Sequence, residues 1–199
     1  MEKIVLMGGG GHAKVVIDAI KCKGEYEIYG VVDPKLKKGD SVMGAKVMGG
    51  DEMLETIFKT GIKNAFVTIG SIGNERSVGA RISATDLLKK IGFSLPVIIH
   101  PKAVIAGDVS LGEGTFVAAG AVINPGTKVG RSAIINTNSS IDHDCIIGDF
   151  VHVAPGATLS GGVRVGNETH IGTGANITQG VTIGQESLVK AGTLVSRDI

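Results

Sequence analysis

The chain has 199 residues, of which 43% are hydrophobic, and 20 Lys and Arg residues nearly balance 19 Asp and Glu residues to leave a net charge of +1. This balance, with no basic run interleaved with aromatic residues, argues against a nucleic-acid partner. No apolar stretch approaches the roughly 20 residues that span a bilayer, so we expect a cytoplasmic protein without a membrane partner. Cys22 and Cys145 lie far apart in the sequence, which is typical of reduced thiols.

The first hundred residues alternate between strand-like and helix-like segments. In order, we predict a strand at 3–7, a glycine turn at 8–11, a helix at 12–21, a strand at 27–33, a loop at 34–50, a helix at 51–61 with Asp51 as its N-cap, a strand at 64–70, a helix at 74–91 and a strand at 96–99. Such alternation predicts a small parallel α/β sheet wrapped by helices, a Rossmann-like domain over residues 1–100.

A ligand of this domain would lie at the C-terminal ends of its strands, where residues 8–12, Asp33 and Gly70 converge. The GGGGH loop offers backbone N–H groups and a helix N-terminus to a phosphate. The loop matches the dinucleotide-binding pattern G-x-G-x-x-G only in its degenerate form, because Ala13 occupies the final glycine position. A tight strand-to-helix turn that binds no phosphate is therefore the alternative. Asp33 suits a ribose or sugar hydroxyl, although Asp before Pro is also common in loops.

The stretch from residue 103 to residue 198 divides into sixteen hexapeptides, each with an aliphatic third letter. Only a chain that turns a corner every six residues points all sixteen at one axis, so residues 101–199 are predicted to form a parallel β-helix. Three hexapeptides make one coil, which stacks residues eighteen apart. Gly, Asn and Asp at the fourth and fifth letters suit corners. We expect the β-helix to be left-handed, because hexapeptide repeats are known to build left-handed β-helices. The change of pattern at His100 and Pro101 indicates a hinge.

One histidine in the repeats has acidic neighbours on both sides. His143 is the fifth letter of SSIDHD, between Asp142 and Asp144, at an outward or corner position. A carboxylate neighbour keeps an imidazole basic near neutral pH, as a general base requires. A solvated corner without a catalytic role is the alternative.

Two further histidines, His152 and His170, are eighteen residues apart and should stack one coil apart. They could line a groove or hold a metal ion. Zinc usually needs three protein ligands, and the third would have to be His143 on another face, which only a partner subunit could bring near. We therefore expect no metal.

The chain resembles the bacterial hexapeptide-repeat acetyltransferases that modify nucleotide-linked amino sugars or sialic acids. KIVLMGGGGHAKVVIDAI resembles that family's first strand, glycine loop and helix, and VVDP resembles its second strand end. VTIG with Asn74 and Arg76 is similar to its third strand. INTNSSIDHDCIIGDFVHVAPGATLSGGVRVG is similar to the segment with the catalytic histidine.

The resemblance implies a homotrimer with acetyl-CoA in the groove between neighbouring β-helices and active sites at the subunit interfaces. It implies that His143 is the general base, assisted by Asp144. It also implies that acetyl-CoA contacts His152, Thr173 and Ala191. The implied nucleotide-sugar site comprises Gly10, Gly11, His12, Asp33 and Gly70, with Asn136 orienting the histidine. Relatives usually continue past RDI with a proline-containing tail, so we expect either a truncated chain or another cover for the last coil.

The expected reaction is acetyl transfer from acetyl-CoA to the amino group of a UDP-4-amino-sugar, for cell-surface glycan or glycoconjugate synthesis. No covalent acyl-enzyme is expected. The alternatives are O-acetylation of sialic acid or a related sugar, a zinc-dependent hydratase similar to the γ-type carbonic anhydrases, and a non-catalytic nucleotide-sugar sensor.

Overall fold

The computed structural model describes residues 1–71 and 75–199, without the side chains of residues 75–77. An N-terminal sheet has the strand order β3-β4-β2-β1-β5 and is parallel except for the β3–β4 pair. Its strands are β1 (Glu2–Met7), β2 (Tyr26–Val32), β3 (Ser41–Val42), β4 (Ala45–Gly49) and β5 (Asn64–Val67). Its helices are α1 (Gly11–Lys23), α2 (Leu54–Lys59) and α3 (Glu75–Ile91). None of the helices in the described ranges is long and apolar enough to cross a membrane.

Two predictions for this region need correction. The segment 34–50, which we predicted as a loop, contains the antiparallel β3–β4 hairpin, and β4 extends the sheet beside β2. Asp51 does not cap a helix, because it begins a short 3-10 turn, Asp51–Met53, that leads into α2, and Gly50 occupies the cap position. Residue 74, the predicted start of the third helix, lies outside the described residues.

The strand predicted at 96–99 is also placed differently. Strand β6 (Ile98–Ile99) pairs in parallel with residues 116–117 of the β-helix and not with the N-terminal sheet. The first rung of the β-helix therefore precedes Pro101, and the division of domains near residue 100 stays a prediction.

The hexapeptide prediction is confirmed: each of the sixteen repeats contributes one two-residue strand from its second and third letters, and the coils form a left-handed parallel β-helix. Partners in each of the three sheets are eighteen residues apart. The strands are β7 (Val104–Ile105), β8 (Ser110–Leu111), β9 (Phe116–Val117), β10 (Val122–Ile123), β11 (Lys128–Val129), β12 (Ile134–Ile135), β13 (Ser140–Ile141), β14 (Ile146–Ile147), β15 (His152–Val153), β16 (Thr158–Leu159), β17 (Arg164–Val165), β18 (His170–Ile171), β19 (Asn176–Ile177), β20 (Thr182–Ile183), β21 (Leu188–Val189) and β22 (Leu194–Val195).

The third letters form the axial core, together with small first letters such as Ala133 and Ala157. The corners differ from the prediction, because the left-handed backbone conformation falls on the sixth letter and not on the fourth or fifth. Six sixth letters that are not glycine also adopt positive φ, among them Asp144 (φ 59°) and Phe150 (φ 57°). This places a strained corner directly after His143.

One face of the β-helix packs against the N-terminal domain. The second letters of this face point away from the axis, and Phe116, Ile134 and His152 are all buried there. Phe116 and Ile134 share a hydrophobic cluster with Leu6 of β1 and Ile17 of α1. The packed junction fixes the strand ends of the N-terminal sheet beside this face.

Candidate functional site

A cavity of about 980 Å³ lies between the N-terminal domain and the β-helix. We call it the acceptor cavity. The predicted residues Gly10, Gly11, His12, Asp33 and Gly70 all line it, and so do Asn136 and His152 of the β-helix. Further lining comes from Asp51 and from the α3 residues Ala80, Ser83, Ala84 and Leu87. The structure thus brings together residues that are more than a hundred positions apart in sequence.

The glycine loop and the N-terminus of α1 form one corner of this cavity. Gly10 is the N-cap residue of α1 and has no side chain to cap the helix, so the first backbone N–H groups of this 13-residue helix remain available to a ligand. Gly8 has a φ of 110°, and a Cβ on it would lie 2.8 Å from Ile69. A side chain is therefore excluded at Gly8, which explains the glycine as a packing requirement.

Asp33 holds this loop in place. Its Oδ2 accepts a hydrogen bond from the Gly9 N–H at 2.7 Å, and its Oδ1 accepts one from the Lys35 N–H at 2.8 Å. Each carboxylate oxygen keeps a second lone pair for a ligand. The residue thus has a structural role beside the ligand contact expected from the sequence.

His12 lies at the floor of the acceptor cavity, with its ring edge-on to Phe116 at a centroid distance of 5.3 Å. Burial of the ring lowers the pKa of His12 to about 4, and the charge of Arg81 acts in the same direction. A Cβ on Gly70 would lie 3.2 Å from the His12 Cβ, so glycine leaves room for the ring. His12 is therefore neutral at physiological pH.

His152 joins the β-helix to the end of β5. Its Nδ1 lies 2.9 Å from the Ser71 carbonyl oxygen, and its Nε2 lies 3.0 Å from the Asn136 side-chain amide nitrogen. The amide donates to Nε2, and the Nδ1 proton is donated to Ser71. Burial, then the neighbouring His170, lowers the pKa of His152 to about 3. Asn136 was expected to orient His143, but its side chain contacts His152.

His143 occupies a different corner of the β-helix and does not line the acceptor cavity. Its Nδ1 lies 2.8 Å from Asp144 Oδ2, and its backbone N–H donates to Asp142 Oδ1 at 2.8 Å. The hydrogen bond to Asp144, followed by the charge of Asp142, raises the pKa of His143. Because the Nδ1–H donates to Asp144 Oδ2, the lone pair of the neutral ring is on Nε2, which lies above Gly161.

Of the three residues predicted to contact acetyl-CoA, Thr173 and Ala191 extend a line of fifth letters down one corner, whereas His152 is buried. Thr137 and Pro155 line the acceptor cavity, and Thr173 and Ala191 follow them at intervals of eighteen residues. Both Thr173 and Ala191 are exposed. This corner is thus an open surface that starts at the acceptor cavity.

The zinc alternative is disfavoured by the histidine geometry. The rings of His152 and His170 are 4.7 Å apart and edge-to-face, but both nitrogens of His152 already have protein partners. His143 lies on a separate corner, so one chain cannot bring His143, His152 and His170 to one ion.

Within the described part of the chain, Asp18, Cys22 and His100 are the one group of three potential metal ligands, with atoms within 4.8 Å of one another. His100 Nδ1 accepts a hydrogen bond from the Lys102 N–H at 3.0 Å, which places the proton of a neutral imidazole on Nε2. That nitrogen faces Asp18 at 3.7 Å. It has no lone pair for a metal, so the cluster is best described as a polar contact between α1 and the β-helix.

Arg81, which was not among the predicted site residues, is buried between α3 and the β-helix. Its guanidinium donates to the carbonyl oxygens of Phe150, at 3.0 Å, and Ser132. Val78, Arg81, Thr85 and Leu88 are all buried and follow helical spacing. The sequence signal that could have identified Arg81 is a single arginine on the otherwise mainly apolar face of a helix.

The chain matches family models along most of its length. The model described as the PglD N-terminal domain matches residues 3–79. The bacterial transferase hexapeptide model matches residues 126–161, and the hexapeptide repeat of succinyl-transferase matches residues 108–143 and 162–197.

Two curated relatives match the chain over about half of their own length. GDP-perosamine N-acetyltransferase of Escherichia coli O157:H7 is 30% identical over 126 residues, which are 62% of this chain and 55% of that protein. UDP-N-acetylbacillosamine N-acetyltransferase of Bacillus subtilis (strain 168) is 35% identical over 119 residues, which are 60% of this chain and 52% of that protein.

Solved structures match the whole chain. A mutant perosamine N-acetyltransferase from Caulobacter crescentus, in complex with CoA and GDP-perosamine, is 39% identical with a TM-score of 0.92, and the match covers 100% of this chain and 90% of that one. The acetyltransferase domain of PglB from Neisseria gonorrhoeae FA1090, in complex with acetyl coenzyme A, is 36% identical with a TM-score of 0.90, and covers 100% and 92%.

Proposed function

Because the chain belongs to the hexapeptide-repeat sugar N-acetyltransferases with a PglD-type N-terminal domain, we propose that it transfers the acetyl group of acetyl-CoA to the amino group of a nucleotide-linked amino sugar. The observation that carries this proposal is the His143–Asp144 pair, an exposed imidazole whose outer nitrogen is free and basic. The relatives that bind CoA, acetyl coenzyme A and GDP-perosamine support it.

The nucleotide-sugar occupies the acceptor cavity. Its pyrophosphate lies against the backbone N–H groups of Gly10 and Gly11 at the start of α1, where the helix dipole favours negative charge. Asp33 accepts a hydrogen bond from a ribose or sugar hydroxyl, and Gly70 leaves room beside His12. Asn136, held by His152, offers its amide to the sugar end of the ligand.

His143 acts as general base in a direct transfer. The amine nitrogen attacks the thioester carbonyl, the new C–N bond forms, and the C–S bond breaks as CoA leaves as a thiolate. His143 Nε2 takes the proton that the amine loses, while Asp144 stabilises the resulting imidazolium. General base assistance of this kind typically contributes about 10²- to 10⁴-fold, and positioning of the two substrates contributes more. The thiolate of CoA is then protonated by the solvent.

Within one chain, His143 and the acceptor cavity lie on different parts of the β-helix. We therefore propose a homotrimer in which His143 of one subunit faces the acceptor cavity of its neighbour. Acetyl-CoA lies in the groove between the two β-helices, along the corner that Thr173 and Ala191 form. His152 supports the groove from the buried side. We propose a cytoplasmic enzyme, because acetyl-CoA and nucleotide-sugars are its two substrates in this proposal.

Subunit mixing tests the shared site. His143→Ala removes the base, and Gly10→Glu places a carboxylate where the pyrophosphate binds. Each variant alone is expected to be inactive. Refolding the two together produces interfaces with one intact His143 and one intact cavity, so activity returns. If the mixture stays inactive although both variants exchange subunits, the site is not shared.

A substrate screen tests the activity itself. Free thiol release from acetyl-CoA is measured with UDP-linked and GDP-linked 4-amino sugars and with sialic acids, for the wild type and for His143→Ala. We expect release with an amino sugar and none above background with the variant. Release with sialic acid alone identifies an O-acetyltransferase, and ligand binding without release identifies a sensor. A His143→Ala enzyme with the wild-type rate would exclude this base.

A further inference from the structure

A second, much smaller cavity lies directly beneath the acceptor cavity, where α1, α3 and the β-helix meet. We call it the junction cavity. Its volume is about 10 Å³. The polar side chains of His12, Arg81, Thr85 and Ser132 line it, and its other walls are mostly apolar side chains such as Phe66 and Phe116.

Two polar atoms in this region have no protein partner among the described residues. They are His12 Nε2 and Thr85 Oγ1, and both are buried. Thr85 is only 1% exposed and Arg81 only 3%. An unpaired buried polar group is destabilising, so two of them beside a single cavity are unusual unless something in the cavity binds both.

The size and chemistry of the junction cavity fit one water molecule. A site for a water needs roughly 10–15 Å³ and two to four polar partners. The volume is at this limit, and His12, Thr85 and Arg81 are three candidate partners. A larger anion would not fit.

We propose that the junction cavity binds a water molecule through His12 Nε2, Thr85 Oγ1 and the Arg81 guanidinium, and that this water fixes His12 in the tautomer with its proton on Nδ1. Arg81 can only donate hydrogen bonds, because its guanidinium stays protonated. Its carbonyl contacts with Phe150 and Ser132 hold it in place. The water accepts one hydrogen bond from Arg81 and a second from the Thr85 hydroxyl, which has no protein partner among the described residues, so it donates a hydrogen to His12 Nε2.

The tautomer matters because His12 lines both cavities. In this tautomer, Nε2 accepts a hydrogen bond in the junction cavity. Nδ1 carries the proton, and it is the nitrogen that can donate a hydrogen bond to a ligand in the acceptor cavity. A neutral donor at this place suits an oxygen of the pyrophosphate or of the sugar. This consequence rests on the proposed function, whereas the water and the tautomer do not. Thr85 does not line the acceptor cavity. It acts through the water and His12, and is thus a positioning residue for the nucleotide-linked sugar.

The test uses ¹⁵N-histidine-labelled protein without any ligand. Two-bond ¹H–¹⁵N spectra distinguish the tautomers, and a His12→Asn variant assigns the signals of His12. We expect Nδ1 to be protonated in the wild type. Thr85→Val keeps the shape of the side chain but removes the hydroxyl, so we expect it to shift the His12 signals toward the other tautomer. Thr85→Ser keeps the hydroxyl and should retain the wild-type pattern.

Kinetics give the second readout. Thr85→Val should raise the KM for the nucleotide-amino sugar roughly 3- to 10-fold, the effect of one weakened hydrogen bond, and leave the KM for acetyl-CoA unchanged. A proton on Nε2 in the wild type, or identical His12 signals in Thr85→Val, overturns the proposal. If Thr85→Val does not fold, a high-resolution crystal structure of the wild type decides, and no density for a water in the junction cavity overturns it. Correct spectra in a protein that acetylates no amino sugar would refute only the proposed function.

Discussion

Acidification is expected to destabilise this protein through its buried histidines. Burial lowers the pKa of His12 to about 4 and that of His152 to about 3, from an ordinary value of 6.5. Both imidazoles are neutral in the folded chain at pH 5, whereas they are protonated in the unfolded chain. The unfolded state therefore binds more protons, and stability falls as the pH falls from about 6.5 toward these folded values.

The size of this effect follows from the shifts. Between pH 7 and pH 5, a histidine that stays neutral only in the folded state costs roughly 2 kcal/mol of unfolding free energy. His12 and His152 together therefore remove about 4 kcal/mol, a large share of the roughly 5–15 kcal/mol of a typical domain.

Urea unfolding at pH 7, 6 and 5, at one fixed protein concentration, measures this loss. His152→Gln replaces the imidazole by an amide that cannot be protonated in this range, so the loss between pH 7 and pH 5 should shrink by roughly 2 kcal/mol. His143→Gln is the matched control, because it removes an exposed imidazole whose pKa is raised and should not reduce the loss. An equal loss in His152→Gln and the wild type would refute the reasoning.

Three further predictions concern the base and the core. Asp144→Asn should move the acidic limb of the kcat/KM profile to lower pH and reduce the maximum, because the hydrogen bond that raises the pKa of His143 is weakened; asparagine tolerates the φ of 59° at this corner. Gly161→Ala should reduce kcat by about tenfold or more, because its Cβ would lie 2.5 Å from His143 Nε2 and displace the ring. Ile141→Ala should lower the unfolding free energy by about 2–5 kcal/mol in urea, since this side chain is fully buried on the β-helix axis.

Each of these predictions has a distinct contrary result. An unchanged pH profile in Asp144→Asn would show that the carboxylate does not act on His143. Full activity in Gly161→Ala would show that the observed ring position is not needed, and a large loss of thermal stability would show that the effect is on folding. A loss below 1 kcal/mol in Ile141→Ala would mean that the β-helix closes around the missing side chain.

The β-helix was predictable because its signal is repeated sixteen times. A third letter that is always aliphatic determines the strand positions, the stacking interval and the core. The corner was assigned to the wrong letters, because glycine and asparagine also occur at the fourth and fifth letters for close packing. Gly130, for example, has an ordinary φ, but a Cβ on it would lie 2.5 Å from Asp149.

The missed hairpin lacked the usual turn signal. Met43 and Gly44 are its two central residues, and both have positive φ. Asn or Asp is the usual first residue of such a turn, whereas Met rarely adopts this conformation. The sequence therefore gave no reason to interrupt the predicted loop at 34–50.

The glycine loop, Asp33 and Gly70 could be placed at one site because parallel strands end at the same edge of a sheet. The contact of His152 with Ser71 could not be predicted, since it joins residues 81 positions apart through the packing of the two domains. The family resemblance implied only a contact of His152 with acetyl-CoA. Its ring is buried beside the acceptor cavity, and this position also depends on the packing of the two domains.

The most direct test of the proposed acetyl transfer is the identity of the product. Purified protein is incubated with acetyl-CoA and a nucleotide-linked 4-amino sugar, and the product is analysed by mass spectrometry and NMR. We predict one added acetyl group in an amide bond at the amino nitrogen, formed in step with free CoA and absent with His143→Ala. An acetyl ester on a hydroxyl, or CoA release without an acetylated sugar, would contradict the account.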